Sequence, residues 1–127
     1  MADANRDKVV YFVRHGQSAD HVAPVFPSPH SPLRAVGRHQ AERLAARMSH
    51  LAFDALLASP YQRAKATAAA MGNITGKAPE CVALVTERVK PTSINGTPST
   101  DAQAQRTWRA WEHSLSTPGR RVEDGEN

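Results

Sequence analysis

The hydrophobic residues of this chain fall into three short runs separated by segments of helical periodicity. The short runs are residues 8–13 (KVVYFV), 53–58 (FDALLA) and 81–85 (CVALV). Short apolar runs rich in β-branched, aliphatic and aromatic residues, bounded by loop-forming residues, are typical of buried strands. The pattern therefore predicts three strands.

Two helical segments lie between these runs. In residues 33–48 the apolar side chains from Ala41 to Met48 recur at spacings of three and four, with charged residues on the other face. Residues 59–71 open with Ser-Pro, which suits a helix start, and precede Gly72, a residue type that often ends helices. The order strand, helix, strand, helix, strand predicts an α/β fold, a three-layer α/β/α unit with a mainly parallel central sheet.

The other segments are predicted to be less regular. Residues 22–32 carry four prolines and should form a loop, because proline fixes φ and removes a backbone donor. Residues 90–100 are rich in turn-forming types. A third helix is predicted over residues 101–115, with Trp108 and Trp111 on one face, and a polar stretch follows it.

Composition indicates one globular domain whose positive charge favours anionic partners but most often means only a solvated basic surface. The 127 residues suit a single domain, 40% of them are hydrophobic, and the formal net charge is +4 at pH 7. Small phosphorylated molecules and nucleic acids both fit that charge. Because aromatic residues are few and no long run of like charge occurs, we expect a small phosphorylated substrate and no nucleic-acid partner.

The sequence carries no signal for export, membrane insertion or metal binding. Cys81 is the only cysteine and has no internal disulfide partner. The polar N-terminus lacks the apolar segment of a signal peptide, and no apolar stretch reaches the length that spans a bilayer. No histidine pairing has metal-site spacing. We therefore expect a cytoplasmic protein without membrane, metal or cofactor.

The most reactive residue types follow the predicted strands. Arg14, His15 and Gly16 come directly after the first strand, where ligands of open α/β sheets bind. Histidine can act as nucleophile or base, an adjacent arginine can hold a phosphate, and glycine admits a ligand close to the backbone. Arg63 follows the second strand at a helix start, and Glu87 follows the third as a potential general acid. Taken alone, each of these features is more often an ordinary turn or surface residue than a functional one.

Four segments, in this order, resemble the histidine phosphatase superfamily, which includes the phosphoglycerate mutases. They are VRHGQS at 13–18, SPLRAVGRHQAERLAARM at 31–48, FDALLASPYQRAKATAAAM at 53–71 and TERVKPTSINGTPS at 86–99. The closing EDGEN is similar to a DGES stretch of the family. The resemblance implies a single phosphoglycerate mutase-like domain over residues 1–127, incomplete at its C-terminal side.

The resemblance also implies roles for the site residues. His15 would be the nucleophile that becomes phosphorylated, and Arg14 and Arg63 would hold the phosphoryl oxygens. Glu87 would protonate the leaving oxygen and then activate water. The other phosphate-binding positions of the first motif would be Gly16, Ser18 and His21.

The sequence departs from the family pattern at several positions. His21 stands where the family usually has asparagine, and Arg34 replaces a threonine. The segment that carries the family's second catalytic histidine, roughly VxHGG, has no counterpart. Because that histidine would neutralise charge on the transferring phosphoryl group, we expect this chain to be a slow catalyst.

Three functions stay open at the level of sequence. The first is a phosphomonoesterase working through a phosphohistidine at His15. The second is phosphoryl transfer of the phosphoglycerate mutase type, although the insertion that mutases usually carry after the acidic loop is missing. The third is a non-catalytic phosphate-binding fragment or pseudoenzyme. With each of these functions the protein could form a homodimer.

Overall fold

The computed structural model describes residues 7–126 of the chain. The four α-helices of this part are α1 (Ala19–Val22), α2 (Ala35–Met48), α3 (Gln62–Thr75) and α4 (Ala102–Ser114). The strands are β1 (Leu57–Ala58) and β2 (Glu80–Cys81). Single turns of 3₁₀-helix lie at Ala83–Val85 and Thr92–Ile94.

The two strands form a parallel pair connected by helix α3. Leu57 is aligned with Glu80, and Ala58 with Cys81. The amide of Glu80 donates to the carbonyl oxygen of Leu56 at 2.9 Å, so the pairing extends slightly beyond the strand limits. A strand, crossover helix and parallel strand are the unit from which α/β folds are built. The predicted α/β fold with a parallel sheet is therefore confirmed.

Helices α2 and α3 pack against each other and against this strand pair. The core between them consists of buried aliphatic and methionine side chains: Ala45, Met48, Leu56 and Met71. Val13, Leu44 and Phe53 are partly buried at its margin. The alanine-rich sequence of both helices permits close approach, and the predicted apolar face of residues 33–48 is the face that is buried.

The first predicted strand, residues 8–13, is not a strand among the residues described. The segment pairs with neither β1 nor β2, and the side chains of Val9, Val10 and Phe12 are 73%, 66% and 95% exposed. Only Val13, at its end, reaches the core. An apolar run favours burial, but a strand also needs a neighbouring backbone to accept and donate its hydrogen bonds.

Other predicted boundaries also change. The strand of residues 53–58 shrinks to its last two residues, and the strand of residues 81–85 begins one residue earlier and gives way to a 3₁₀ turn. Helix α3 begins at Gln62 and continues through Gly72 to Gly76, whose φ of 73° ends it. Gly76 rather than Gly72 is therefore the helix terminator, since only the left-handed backbone at Gly76 breaks the hydrogen-bond pattern.

Helix α4 confirms the third predicted helix and organises the C-terminal part of the chain. The rings of Trp108 and Trp111 lie 5.1 Å apart, and Phe26 of the proline-rich loop contacts Trp108 at 5.3 Å. The indole nitrogen of Trp111 donates to the carbonyl oxygen of Glu126 at 2.9 Å. These contacts fasten the loop and the polar end of the chain to one helix.

No helix within residues 7–126 combines the length and apolar character needed to cross a membrane.

Candidate functional site

Two glycines bring the loop after residue 13 against the start of helix α2. A Cβ atom on Gly16 would overlap the carbonyl oxygen of Gly37, and a Cβ on Gly37 would overlap that of Gln17. The loop is then fixed by hydrogen bonds, because the Gln17 amide donates to the side-chain oxygen of Gln40 at 2.9 Å. The backbone of residues 16 and 17 is thus positioned by a helix that the sequence analysis did not assign to the site.

Helix α3 holds the same loop from another side. The Gly16 amide donates to the hydroxyl of Thr67 at 3.1 Å, and that hydroxyl donates to the Arg63 carbonyl oxygen at 2.8 Å. Thr67 is buried and lies one helical turn after Arg63. The position of Arg63 relative to the loop is therefore fixed through the helix backbone.

His15 is half-buried with one ring nitrogen occupied. Its Nδ1 lies 2.7 Å from the carbonyl oxygen of Gly16. A carbonyl oxygen only accepts, so Nδ1 carries the proton and donates it. In the neutral ring Nε2 is then unprotonated, with its lone pair available to a ligand.

His21 forms a second imidazole beside the first. The centroids of the His15 and His21 rings are 5.2 Å apart and the ring planes are inclined by 52°. The hydroxyl of Ser18, a residue with no exposed surface, forms a hydrogen bond with Nδ1 of His21. Both rings are therefore held at Nδ1, which leaves Nε2 of each for other partners.

An open cavity of about 560 Å³ lies at these two rings. It is lined by residues of the loop and of helices α1 and α2: Arg14, His15, Gly16, Gln17, His21, Gln40, Ala41 and Leu44. Polar and cationic groups come from the loop, from His21 of α1 and from Gln40 of α2, whereas Ala41 and Leu44 supply an apolar wall. The cavity is of the size that small-molecule ligands occupy in proteins.

Arg63 and Glu87 form an ion pair next to this cavity but not in its lining. Arg63 is 2% exposed, and its guanidinium also donates to the Ser28 carbonyl oxygen at 2.9 Å. The guanidinium lies 4.9 Å from the centre of the Tyr61 ring. The Glu87 side chain is 56% exposed, so the anion of the pair faces solvent while the cation is buried.

The electrostatics of the site are dominated by positive charge. Partial burial lowers the pKa of His21, and the charges of His15, Arg63 and Arg14 lower it further against an opposing effect of Asp20. Burial, reinforced by the nearby Arg63, also lowers the pKa of Lys90. A pKa lowered by neighbouring cations means that the site disfavours an additional proton, and the same field favours an anion.

The predicted site residues thus fall into two adjoining groups. Arg14, His15, Gly16 and His21 line the cavity, and Ser18 lies behind His21. Arg63 and Glu87 form the neighbouring ion pair, linked to the first group by the action of the Arg63 charge on His21. Whether all of them bind one phosphate stays a prediction.

Three positioning residues were missed by the sequence analysis. Gly37 and Gln40 belong to the segment that resembles the family's GxxQA pattern, and Thr67 to the segment that resembles its SPxxRAxxTA pattern. Their contacts with residues 16 and 17 explain why these residue types stand there. The signal was present in the quoted motifs, but a role in holding the loop is visible only in three dimensions.

Within residues 7–126, no three histidine, cysteine, aspartate or glutamate residues are grouped so that they could hold a metal ion.

Comparisons with known proteins identify the family. The profile of the histidine phosphatase superfamily, branch 1, matches residues 10–127. The chain therefore belongs to the histidine phosphatase superfamily. No curated protein sequence matches the chain.

Solved structures agree in fold. A mycobacterial glucosyl-3-phosphoglycerate phosphatase superimposes with a TM-score of 0.68 at 22% identity, covering 89% of this chain and 53% of the other. An α-ribazole phosphatase from Shigella flexneri gives 0.67 at 18% identity, covering 91% and 57%. A structure named mycobacterial hydrolase 1 gives 0.70 at 23% identity, covering 89% and 54%. The chain thus spans about half the length of the structures it matches.

Proposed function

We propose that this chain carries the phosphoryl-accepting site of a phosphomonoesterase that works through a phosphohistidine at His15. The observation that carries the proposal is the state of the His15 ring. Its Nδ1 donates to the Gly16 carbonyl oxygen, so in the neutral ring the lone pair of Nε2 is available, and His15 lines a cavity together with Arg14. Membership of the histidine phosphatase superfamily supports the same reaction class.

The proposed reaction uses the roles that the family resemblance implies. Glu87 is ionised while it is paired with Arg63, so it must take up a proton when the substrate phosphate replaces it at the guanidinium. Nε2 of His15 attacks the phosphorus of a phosphate monoester, the bond from phosphorus to the ester oxygen breaks, and the protonated Glu87 gives its proton to the leaving oxygen. Water then attacks the phosphohistidine, Glu87 takes a proton from it, and inorganic phosphate leaves with His15 restored. Transfer through a covalent intermediate divides one difficult displacement into two easier ones.

In phosphoryl transfer, the protein contributes mainly by placing positive charge around the transferring group. Arg14 and Arg63 would hold the phosphoryl oxygens, and Arg63 is already immobilised by Ser28 and Glu87. The remaining phosphate-binding groups would be the backbone of Gly16 and the side chains of Ser18 and His21. A small phosphorylated substrate fits the cavity and its charge, while a cytoplasmic location and a homodimer stay predictions from sequence.

The test is hydrolysis of p-nitrophenyl phosphate by the purified chain. We expect slow turnover that His15→Ala abolishes and that Arg63→Ala lowers by about 10²–10³, the usual loss for one preorganised charge-stabilising group. The matched control is His50→Ala, an exposed histidine beyond the end of α2, which should leave the rate unchanged. Turnover that survives His15→Ala would refute the proposal.

The same preparation distinguishes the non-catalytic alternative that the sequence analysis left open. Vanadate binding that depends on His15 without any turnover would identify a phosphate-binding fragment. Rapid quenching at alkaline pH would show the phosphohistidine directly if the chain is an enzyme.

A further inference from the structure

We propose that anion binding in the His15 cavity is coupled to the uptake of a proton at His21, with Ser18 holding the His21 ring in both of its charge states. The inference rests on the proposed function, because it assumes a phosphoryl group or similar anion beside His15. It adds to that function a titratable phosphate ligand where the family pattern has a neutral asparagine.

The contact between Ser18 and His21 suits a ring that changes charge. A hydroxyl is both donor and acceptor, so it donates to Nδ1 of the neutral ring and accepts from Nδ1 of the protonated ring. Ser18 has no exposed surface, and water therefore does not compete for this contact. The ring keeps its position whether or not it carries the extra proton, with Nε2 as the nitrogen left for a ligand in the cavity that His21 lines.

Partial burial, followed by the surrounding charges, determines the charge state of His21 in the empty site. His15 and Arg14 of the loop and Arg63 of helix α3 lower the pKa of His21 through their charges. Asp20 of α1 raises it. Together with partial burial these groups hold the pKa of His21 below its ordinary value of 6.5. Without a ligand the ring is therefore mostly neutral near pH 7.

An anion in the cavity reverses this balance. A dianion near the two rings attracts the proton that the surrounding cations repel, so the pKa of His21 rises on binding. Linkage is reciprocal, and the proton therefore strengthens anion binding by the same factor by which the anion strengthens proton binding.

The direction of the pH dependence follows. Between the lower pKa of the empty site and the higher pKa of the occupied site, anion affinity rises as pH falls, by at most about tenfold per pH unit for one proton. Below the pKa of the empty site the ring is already protonated, and the affinity gains nothing further from His21.

The experiment is an NMR titration of the imidazole C2 protons with pH, in sulfate and in chloride of equal ionic strength. Sulfate is a dianion with no proton of its own to exchange in this range. The His21 signal is assigned by its loss in His21→Asn, a substitution at an exposed position that should not disturb folding. We expect sulfate to raise the His21 pKa by about one pH unit, equivalent to roughly tenfold coupling.

Two variants sharpen the result. Ser18→Ala removes the hydroxyl, and the sulfate-induced rise at His21 should become smaller while the fold is retained. His50 serves as the internal control, because its signal should titrate identically in both salts. In the phosphatase assay, His21→Asn should flatten the rise of substrate affinity toward acidic pH without abolishing turnover.

The outcomes separate this inference from the proposed function. If sulfate perturbs the His15 signal but leaves the titration of His21 unchanged, the coupling is refuted and the phosphate site stands. If neither histidine responds to sulfate or to vanadate, the phosphate site itself is refuted, and the coupling with it.

Discussion

At the scale of single residues, close backbone contact decides the geometry of the site. Gly16 and Gly37 meet where the loop of His15 passes the first turns of α2. Neither glycine has a positive φ, so their role lies in the missing side chain rather than in unusual backbone angles. The Gln17 amide reaches Gln40 only because this approach is possible.

Replacing Gly37 by alanine tests whether the contact with the loop or the helix propensity has the larger effect on stability. Helix propensity alone would stabilise the chain by about 1 kcal/mol, since alanine is the better helix former. The new methyl group would instead overlap the Gln17 carbonyl oxygen, and overpacking of this kind costs about 1–3 kcal/mol. We therefore expect Gly37→Ala to lower the free energy of unfolding, measured by urea denaturation.

Ala46→Gly is the counterpart on the exposed face of the same helix. It should cost about 1 kcal/mol through propensity alone. A stabilised Gly37→Ala variant would show that the loop does not press against the helix as described.

The Arg63–Glu87 pair is also a residue-scale feature, and it is asymmetric. The guanidinium is buried, whereas the carboxylate is largely in water. Burial lowers the pKa of Arg63, but arginine has so high an ordinary pKa that it stays charged. Losing Glu87 would leave a buried cation with fewer partners, whereas losing Arg63 would leave a solvated acid, so the two substitutions differ in cost.

At the scale of elements, helix α3 connects the sheet to the site. Its first turns carry Arg63 and Thr67, its middle buries Ala68 and Met71, and its end returns the chain to β2. The Thr67 hydroxyl accepts a hydrogen bond from the Gly16 amide, one residue after His15. Because Arg63 lies one turn before Thr67 in the same helix, this contact fixes the position of Arg63 along the helix axis relative to His15. The position of the first turns of the helix therefore matters to the site as well as to the fold.

Gly76 ends this helix, and substitution there tests the backbone term alone. Its φ is 73°, and a Cβ at this position would meet no atom within 4 Å. Gly76→Ala should thus destabilise the chain by about 1 kcal/mol through the left-handed backbone, with Gly76→Asn costing less. Thermal unfolding followed by circular dichroism measures both.

The same direction is expected at Gly72, inside the same helix, but for a different reason. A Cβ there would approach the Lys77 carbonyl oxygen and the Pro79 ring, so Gly72→Ala loses stability through contact despite its better propensity. Equal stability of Gly76→Ala and the unsubstituted chain would contradict the assignment of Gly76 as the helix terminator.

At the scale of the whole molecule, the apolar segment at residues 8–13 has no covering layer among the residues described. Phe12, Val9 and Val10 are largely exposed, and further large apolar side chains are exposed at Leu57 and Leu84. Unpaired backbone beside exposed apolar side chains favours association with other chains.

We expect the purified chain to self-associate as its concentration rises, and Phe12→Lys to reduce that association with little change in unfolding free energy. Sedimentation velocity over a range of concentrations measures the effect. Val36→Lys is the matched control, because Val36 is 53% exposed and belongs to helix α2 rather than to the segment. Equal effects of the two substitutions would show that net charge, rather than this segment, governs association.

Local pattern was sufficient for much of the architecture. The periodicity of residues 33–48 and 101–115 predicted α2 and α4 within two residues at each end, because an amphipathic repeat has one way to bury its face. The apolar runs around Ala58 and Cys81 predicted the parallel strand pair. The motif strings located His15, Arg14 and His21, which the fold brings to one cavity.

The sequence by itself determined the three longer helices, the parallel pairing and the family, since propensity, periodicity and motif spacing are properties of neighbouring residues. Only the tertiary structure decided that residues 8–13 pair with no strand within residues 7–126, that α3 passes Gly72, and that Ser18 holds His21 beside His15. Each of these depends on atoms far apart in the chain. A strand exists only with its neighbour, and a hydrogen bond only with its partner.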